Sequence, residues 1–142
     1  MVAIVRPGSK SLATATPVVY TDFSSNFDVS TENGDLMLWT NEDSVKSSIR
    51  NIIMTGRQER PFNPTFGGEL RKMLFEPISV ETETTIQSMI QAAIENFEPR
   101  AVIDQLIVSA MIDQNAYAVS VVFHVINNKD PVTLDLLLTR IR

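Results

Sequence analysis

The chain of 142 residues is 44% hydrophobic and 20% charged, which describes one folded domain with a real core and leaves too little for two. Its formal net charge of −5, with pI ≈ 4.8, argues against nucleic acid and anionic membrane as partners. The absence of cysteine removes disulfides, thiolate nucleophiles and thiolate metal sites, and no apolar run reaches the ~20 residues of a membrane span.

The opening MVAIVRPGSK carries a short apolar patch with no basic region before it, so it does not read as a signal peptide. Together with the small, polar PGSKSLATAT it is expected to form a flexible N-terminal arm over residues 1–16, ahead of a single domain over 17–142. PVVYTDF (Pro17–Phe23) is a strand candidate, with the proline at its start where the missing N–H does least harm. Asn33-Gly34 is a turn signal before a second short apolar segment.

The first strong helix begins in TNEDSVKSSIRNIIMTG. Thr40 or Asn41 can cap it, Thr40 with Asp43 resembles a capping box, and Glu42 and Asp43 suit the positive end of the dipole. Val45, Ile49, Ile52 and Ile53 make one apolar stripe, and Gly56 fits the position just past the end. RQERPFNPTFGG (57–68) reads as an extended, turn-containing connection, and ELRKMLF as a helix of about two turns stopped before Pro77. A second long helix is predicted from about Glu81 to Phe97, with Ile86, Met89, Ile90, Ala93, Ile94 and Phe97 on one face.

After Glu98-Pro99-Arg100 the apolar period changes to two. Val102 to Ile112 reads as a largely buried strand; Tyr117, Val119, Val121, Phe123 and Val125 alternate in a second; Leu134, Leu136 and Leu138 line one side of a third. Short connections make these an antiparallel meander. The expected fold class is α+β: a single domain in which the meander packs against two main helices plus a short one.

Phosphate-cradling glycine loops and a nucleophile elbow have no match in the chain, and no cofactor is expected. The single histidine, His124, shares a strand face with Ala118 and Ser120; it is either a general base or a satisfied strand histidine, and no local motif supplies it with a Ser or Asp partner. Glu59, Glu76, Glu98 and Asp104 are the carboxylates available to a two-carboxylate glycosidase. Glu59 and Glu98 each have an arginine within two residues, and pairing would lower a pKa that a catalytic acid needs raised. Phe62 and Phe66, near Arg57, Arg60 and Arg71, could stack bases; the simpler expectation is that both anchor their loop on the core.

LWTNEDSVKSSIRNIIMTGRQERPFNPTFGGELRKMLFEP, followed by FEPR, resembles the baseplate wedge proteins of contractile-tailed phages, the lysozyme-like gene-product-25 family that also supplies the sheath-initiating subunit of type VI secretion baseplates. The carrying residues are Asn41-Glu42, Val45, Ser48-Ile49 and Asn51 in the first helix, the Gly56–Pro77 connection, and Glu98-Pro99-Arg100 before the closing strands. Asp22, Ser24 and Phe27 are compatible with the family but add little. The resemblance spans about Asp35 to Arg142. It implies a structural protein, not an enzyme, sited in the virion tail baseplate and assembled in the host cytoplasm. The implied partners are the core bundle of larger wedge subunits and the tail sheath protein, with tail tube or hub proteins as further candidates, in copies following a sixfold symmetry. It also implies docking through Glu98, Pro99 and Arg100, with neither nucleic acid nor membrane as partner.

Pro99 by itself explains the helix end, and Arg100 can complement the last helical carbonyls. Glu98 is unexplained by this account, since an acid is disfavoured at a helix C-terminus. A charged fork reaching a partner would explain it. The last strand, Leu-rich from Val132 to Ile141, is either central in its own sheet or an edge on which a sheath arm builds by strand addition, with Leu134, Leu136, Leu138 and Arg140 as its contact residues. The competing function is a carboxylate-dependent, lysozyme-like glycosidase acting on peptidoglycan.

Overall fold

The computed structural model describes residues 18–24, 27–29, 34–68, 70–126, 128 and 130–139. The arm expected over 1–16, Pro17, Asn33 of the turn signal, and Arg140 to Arg142 lie outside the described residues.

Two short strands, β1 (Thr21–Phe23) and β2 (Leu38–Thr40), pair antiparallel with Asp22 opposite Trp39. Helix α1 (Asn41–Met54) follows directly. The Thr40–Asp43 capping box does not form: Thr40 is the extended cap residue, but its side chain makes no cap bond. Asn41 holds the helix start instead. It sits at φ +47, a region asparagine tolerates, and is stitched to the segment just before β1. Its side-chain oxygen accepts the N–H groups of Val19 (2.8 Å) and Tyr20 (3.3 Å), and its own N–H donates to Tyr20 O (2.8 Å). The predicted stripe Val45, Ile49, Ile52 and Ile53 is buried.

The connection after α1 closes on itself where Gly56 bridges Gly68. Gly67, at φ +93, admits no other residue, because a Cβ there would stand 2.3 Å from Thr55 O. Helix α2 (Leu70–Met73) is a single turn, shorter than expected. Beyond it the bonding tightens from Leu74 N–H on Leu70 O to Phe75 on Lys72 O and Glu76 on Met73 O, winding the helix down before Pro77. Helix α3 (Val80–Phe97) is capped by Ser79, whose hydroxyl accepts Thr82 N–H, and buries Ile86, Ile90, Ala93 and Ile94.

Strands β3 (Ala101–Met111), β4 (Ala116–Val125) and β5 (Val132–Thr139) form the predicted antiparallel meander in the order β3-β4-β5. Tyr117, Val119, Val121, Phe123 and Val125 are buried on its inner face and join the α1 and α3 stripes in one core. The other face is open. For that reason β3 is not the largely buried strand expected: Val102 and Ile107 are exposed on the outer side. A β-bulge between Ile103 and Gln105 leaves Asp104 as the extra residue and changes the parity, so the inward set runs Ala101, Ile103, then Leu106, Val108, Ala110.

Candidate functional site

The corner between α3 and β3 is a tight turn in which Ala101 N–H donates to Glu98 O (3.1 Å), with Pro99 and Arg100 in the middle positions that a type I turn allows. Pro99 is exposed. Glu98 is 2% exposed, so it does not project as one arm of an outward fork. Its carboxylate receives Arg100 Nε on Oε1 (2.5 Å) and Nη2 on Oε2 (2.8 Å), and the Ser48 hydroxyl of α1 also bonds to it. Burial pushes this carboxyl up, but the bonds from Arg100 and Ser48 and the Arg100 charge outweigh it and hold the group below the ordinary carboxylate range. Arg100, whose side chain is 32% exposed, lies with its guanidinium carbon 5.1 Å from the Tyr20 ring centroid. The hydrogen bonds that Arg100 donates to Glu98 raise the arginine's own pKa further. The corner therefore presents one arginine at a fixed angle, and ties α1, α3, β3 and the segment before β1 together.

Ser48 and Tyr20 were not legible as partners of this corner, because each sits on a distant stretch of chain with no local signal. Leu134, Leu136 and Leu138 are placed on the inner face of β5: Leu138 is buried and the other two pack partly against the core. Leu134 and Leu136 are therefore half-exposed and Leu138 almost wholly enclosed, while the backbone and the outward residues of β5 are the more exposed part of the strand. Arg140 lies outside the described residues.

Both β3 and β5 are edge strands of the meander, but they differ. Ile126 N–H donates to Arg100 O, which sets the phase of the ladder. Antiparallel pairs bond at every second position, so even-numbered β4 residues face β3 and odd-numbered ones face β5. The outward backbone groups of β3 are then those of Leu106, Val108 and Ala110. Helix α3 covers them: Gln87 Nε2 donates to Leu106 O (3.0 Å) and Glu83 Oε1 accepts Ala110 N–H (2.8 Å). On β5 the outward groups belong to Thr133, Asp135, Leu137 and Thr139, all exposed. Beside that edge lies an apolar hollow of about 380 Å³, lined by Met54, Leu70, Leu74, Phe75 and Leu137, with Arg71 among its walls.

The other candidates fall apart from one another. Glu59 is ion-paired with Arg71 (2.6 Å) and accepts Gly56 N–H (2.8 Å). His124 has the partner that no local motif supplied: both Asp104 oxygens lie 3.0 Å from Nδ1, on the open face. Of the two loop phenylalanines only Phe66 packs, 4.9 Å from the Phe97 ring with Arg60 3.8 Å above it; Phe62 is fully exposed. Among the described residues no group of three or more His, Cys, Asp or Glu could hold a metal ion, and no helix is long and apolar enough to cross a membrane.

The same two-layer fold recurs in contractile particles. A chain of the sixfold-symmetrised anti-feeding prophage baseplate matches with a TM-score of 0.59 at 20% identity, over 87% of this chain and 87% of that one. A chain of the post-contraction pyocin R2 baseplate matches at 0.50 and 19% identity, over 77% and 95%. A Geobacter sulfurreducens protein provisionally named a tail lysozyme matches at 0.68 and 22% identity, over 75% and 97%. The fold is thus one that baseplate subunits use.

The sequence is more specific. Residues 40–130 match the family model described as baseplate wedge protein gp25. Over 91 residues the chain is 38% identical to baseplate wedge protein gp25 of Enterobacteria phage T4, spanning 63% of this chain and 67% of that protein. The chain belongs to the baseplate wedge protein gp25 family. The matched segment includes the Glu98–Arg100 corner and ends before β5.

Proposed function

We propose that the protein is a non-enzymatic subunit of the baseplate of a contractile tail or injection machine, docked on the core bundle of neighbouring wedge subunits through Pro99 and Arg100. In this reading it lies in the virion tail baseplate in copies that follow a sixfold symmetry, after assembly in the host cytoplasm. It also templates the first sheath subunits, by strand addition along β5. Tail tube or hub proteins are its remaining candidate neighbours.

The observation that carries the docking site is the Glu98–Arg100 geometry. A buried acid fixes an arginine that is still one-third exposed, so its remaining donor surface meets a partner with little rotamer entropy left to lose. The strand-addition site is supported by the difference between the two edges, with β3 covered by Gln87 and Glu83 and β5 open beside an apolar hollow. Glu98, Leu134, Leu136 and Leu138 then act from inside the fold, holding the presented surfaces in place.

Hydrolysis of peptidoglycan is the weaker reading. A glycosidase acid needs a carboxyl raised by an apolar pocket, whereas Glu98 is held low, and Glu59 sits in an ion pair with Arg71 in place of an apolar pocket. Purified protein is expected to leave peptidoglycan intact.

The test is co-purification of the chain with the wedge and sheath subunits encoded beside it. Arg100→Ala alone is ambiguous, because it strands the Glu98 charge inside the fold. The informative variant is Glu98→Gln with Arg100→Ala, checked for folding by circular dichroism. A folded double variant that loses the wedge subunits supports docking at this corner; one that keeps them overturns it.

A further inference from the structure

Phe62 is 101% exposed, as bare to water as in an extended chain, yet the loop that carries it is closely tied. Gly56 bridges Gly68 at its base, and Gly68 N–H reaches Thr55 O (3.3 Å). Across the loop Gln58 N–H donates to Pro64 O (3.0 Å), Asn63 N–H to Arg60 O (3.2 Å) and Phe66 N–H to Asn63 O (3.2 Å). The Thr65 hydroxyl donates to Asn63 Oδ1 (2.9 Å). Pro61 and Pro64 restrict the backbone on both sides of Phe62, and Gln58 is held at φ +71, a conformation a non-glycine residue adopts only when its surroundings impose it. Below, Phe66 is engaged by Phe97 and Arg60. A large apolar side chain on a loop preorganised to this degree contributes nothing to the core. It is the arrangement of an interface anchor, a rigid aromatic with little entropy to lose on burial.

The chemistry around it narrows the partner. On a chain of net charge −5 this corner has an excess of basic residues: Arg57 and Lys72 line one small hollow of about 150 Å³ beside the Glu59–Arg71 ion pair, and Arg60 lies two residues before Phe62. Resting on the baseplate reading, we infer that Phe62 anchors a second protein contact, distinct from the Arg100 corner and the β5 edge, inside an apolar pocket with an acidic rim on a neighbouring baseplate subunit. A second copy of this chain fits less well, because the apolar hollow beside β5 has no acidic residue among the described residues that line it and so lacks the rim that the arginine-flanked loop would meet. Nucleic acid fits less well too. A stacking platform needs successive free aromatic faces, and Phe66 is already engaged.

Phe62 lends itself to a clean test because its removal leaves the fold untouched. Phe62→Ala is expected to unfold at the same temperature as wild type and to bind one co-expressed wedge, sheath or tube subunit about tenfold more weakly or worse, with Phe62→Leu intermediate. Wild-type binding of that subunit should weaken as salt is raised. A photo-reactive benzoylphenylalanine at position 62, in the co-expressed complex, should cross-link beside Asp or Glu of that same subunit. If Phe62→Ala assembles like wild type while the Glu98→Gln, Arg100→Ala variant does not, the anchor is overturned and the baseplate reading stands. If wild type joins no subunit, both fall. A cross-link to a second copy or to nucleic acid overturns the partner assigned here.

Discussion

Arg100 holds the Glu98 carboxylate through two parallel bonds, Nε to Oε1 at 2.5 Å and Nη2 to Oε2 at 2.8 Å, with only Pro99 between the two residues in sequence. An acid at the end of α3 would be repelled by the helix dipole; here it is turned inward, neutralised by its own turn and bonded by Ser48 of α1. The proline breaks the helix, and the charged pair locks the two helices and the first long strand at the angle the break creates.

Stability should follow from that pairing. Arg100→Ala leaves a buried carboxylate without its cation and is expected to cost about 2–4 kcal/mol, less than a wholly buried pair because the guanidinium is one-third exposed. Arg100→Lys keeps the charge without the planar fork and should cost about 1 kcal/mol. The Glu98→Gln, Arg100→Ala double variant should recover part of the larger loss, since neither stranded charge remains. Urea unfolding of wild type, Arg100→Lys, the two single variants Arg100→Ala and Glu98→Gln, and the double variant measures this; a double variant as unstable as the sum of its two single changes would show that the two residues act separately.

The same carboxylate sets a pH dependence. Burial acts to raise its pKa, but the Arg100 and Ser48 bonds and the Arg100 charge win, and the folded value lies below the ordinary 4.5. The unfolded chain therefore binds more protons at this group than the folded chain does. The contribution is fully present above about pH 4.5 and is lost as pH falls through the lower folded value. Urea midpoints taken from pH 7 to pH 3 should fall more steeply for wild type than for Glu98→Gln. Parallel profiles would mean that the pair adds nothing to acid stability.

Most of the fold was legible in side-chain periodicity. Val45, Ile49, Ile52 and Ile53, the odd residues of β4, and Ile86, Ile90, Ala93 and Ile94 of the α3 stripe are buried as their spacing dictates, while Met89 and Phe97 at the edge of that stripe are half-buried. What escaped depended on contacts between distant segments. The α+β meander could be read, but the bulge at Asp104 that reverses the inward parity of β3 could not, because the strand stays apolar on both sides of it. Glu98 could be identified but not its direction, which depends on Ser48 in another helix. Phe62 and Phe66 look alike in one loop, and only the position of Phe97 decides which of them packs.

The phase of the β4–β5 ladder separates folding from strand addition. Asp135 directs its backbone N–H to the open edge, while Leu136 bonds inward to Val119. Asp135→Pro should therefore cost little stability and abolish sheath binding, since proline removes the donor an added strand needs. Leu136→Pro breaks the ladder itself and should cost about 2–4 kcal/mol through the lost bond and a stranded carbonyl. Thermal unfolding and sheath co-purification on both variants decide the matter: retention of sheath by a folded Asp135→Pro would exclude β5 as the templating edge.

Gly67 carries the loop prediction. At φ +93, with Thr55 O 2.3 Å from where a Cβ would stand, Gly67→Ala meets both backbone strain and a clash with main chain that cannot rotate away. The cost should be on the order of 3 kcal/mol, against nothing for Gly34→Ala beyond the strain of its own positive φ, since no atom lies within 4 Å of the added carbon there. Because Gly67 and Gly68 close the base of the Phe62 loop, Gly67→Ala should also increase amide hydrogen exchange at Gln58, Asn63 and Phe66, whose N–H groups bond across it. Exchange at Ile107 and Val121, whose N–H groups lie in the sheet ladder, should respond only to the global loss of stability. Unchanged protection in the loop of a folded Gly67→Ala variant would show that Phe62 owes its position to the two prolines and the Phe66 contact alone.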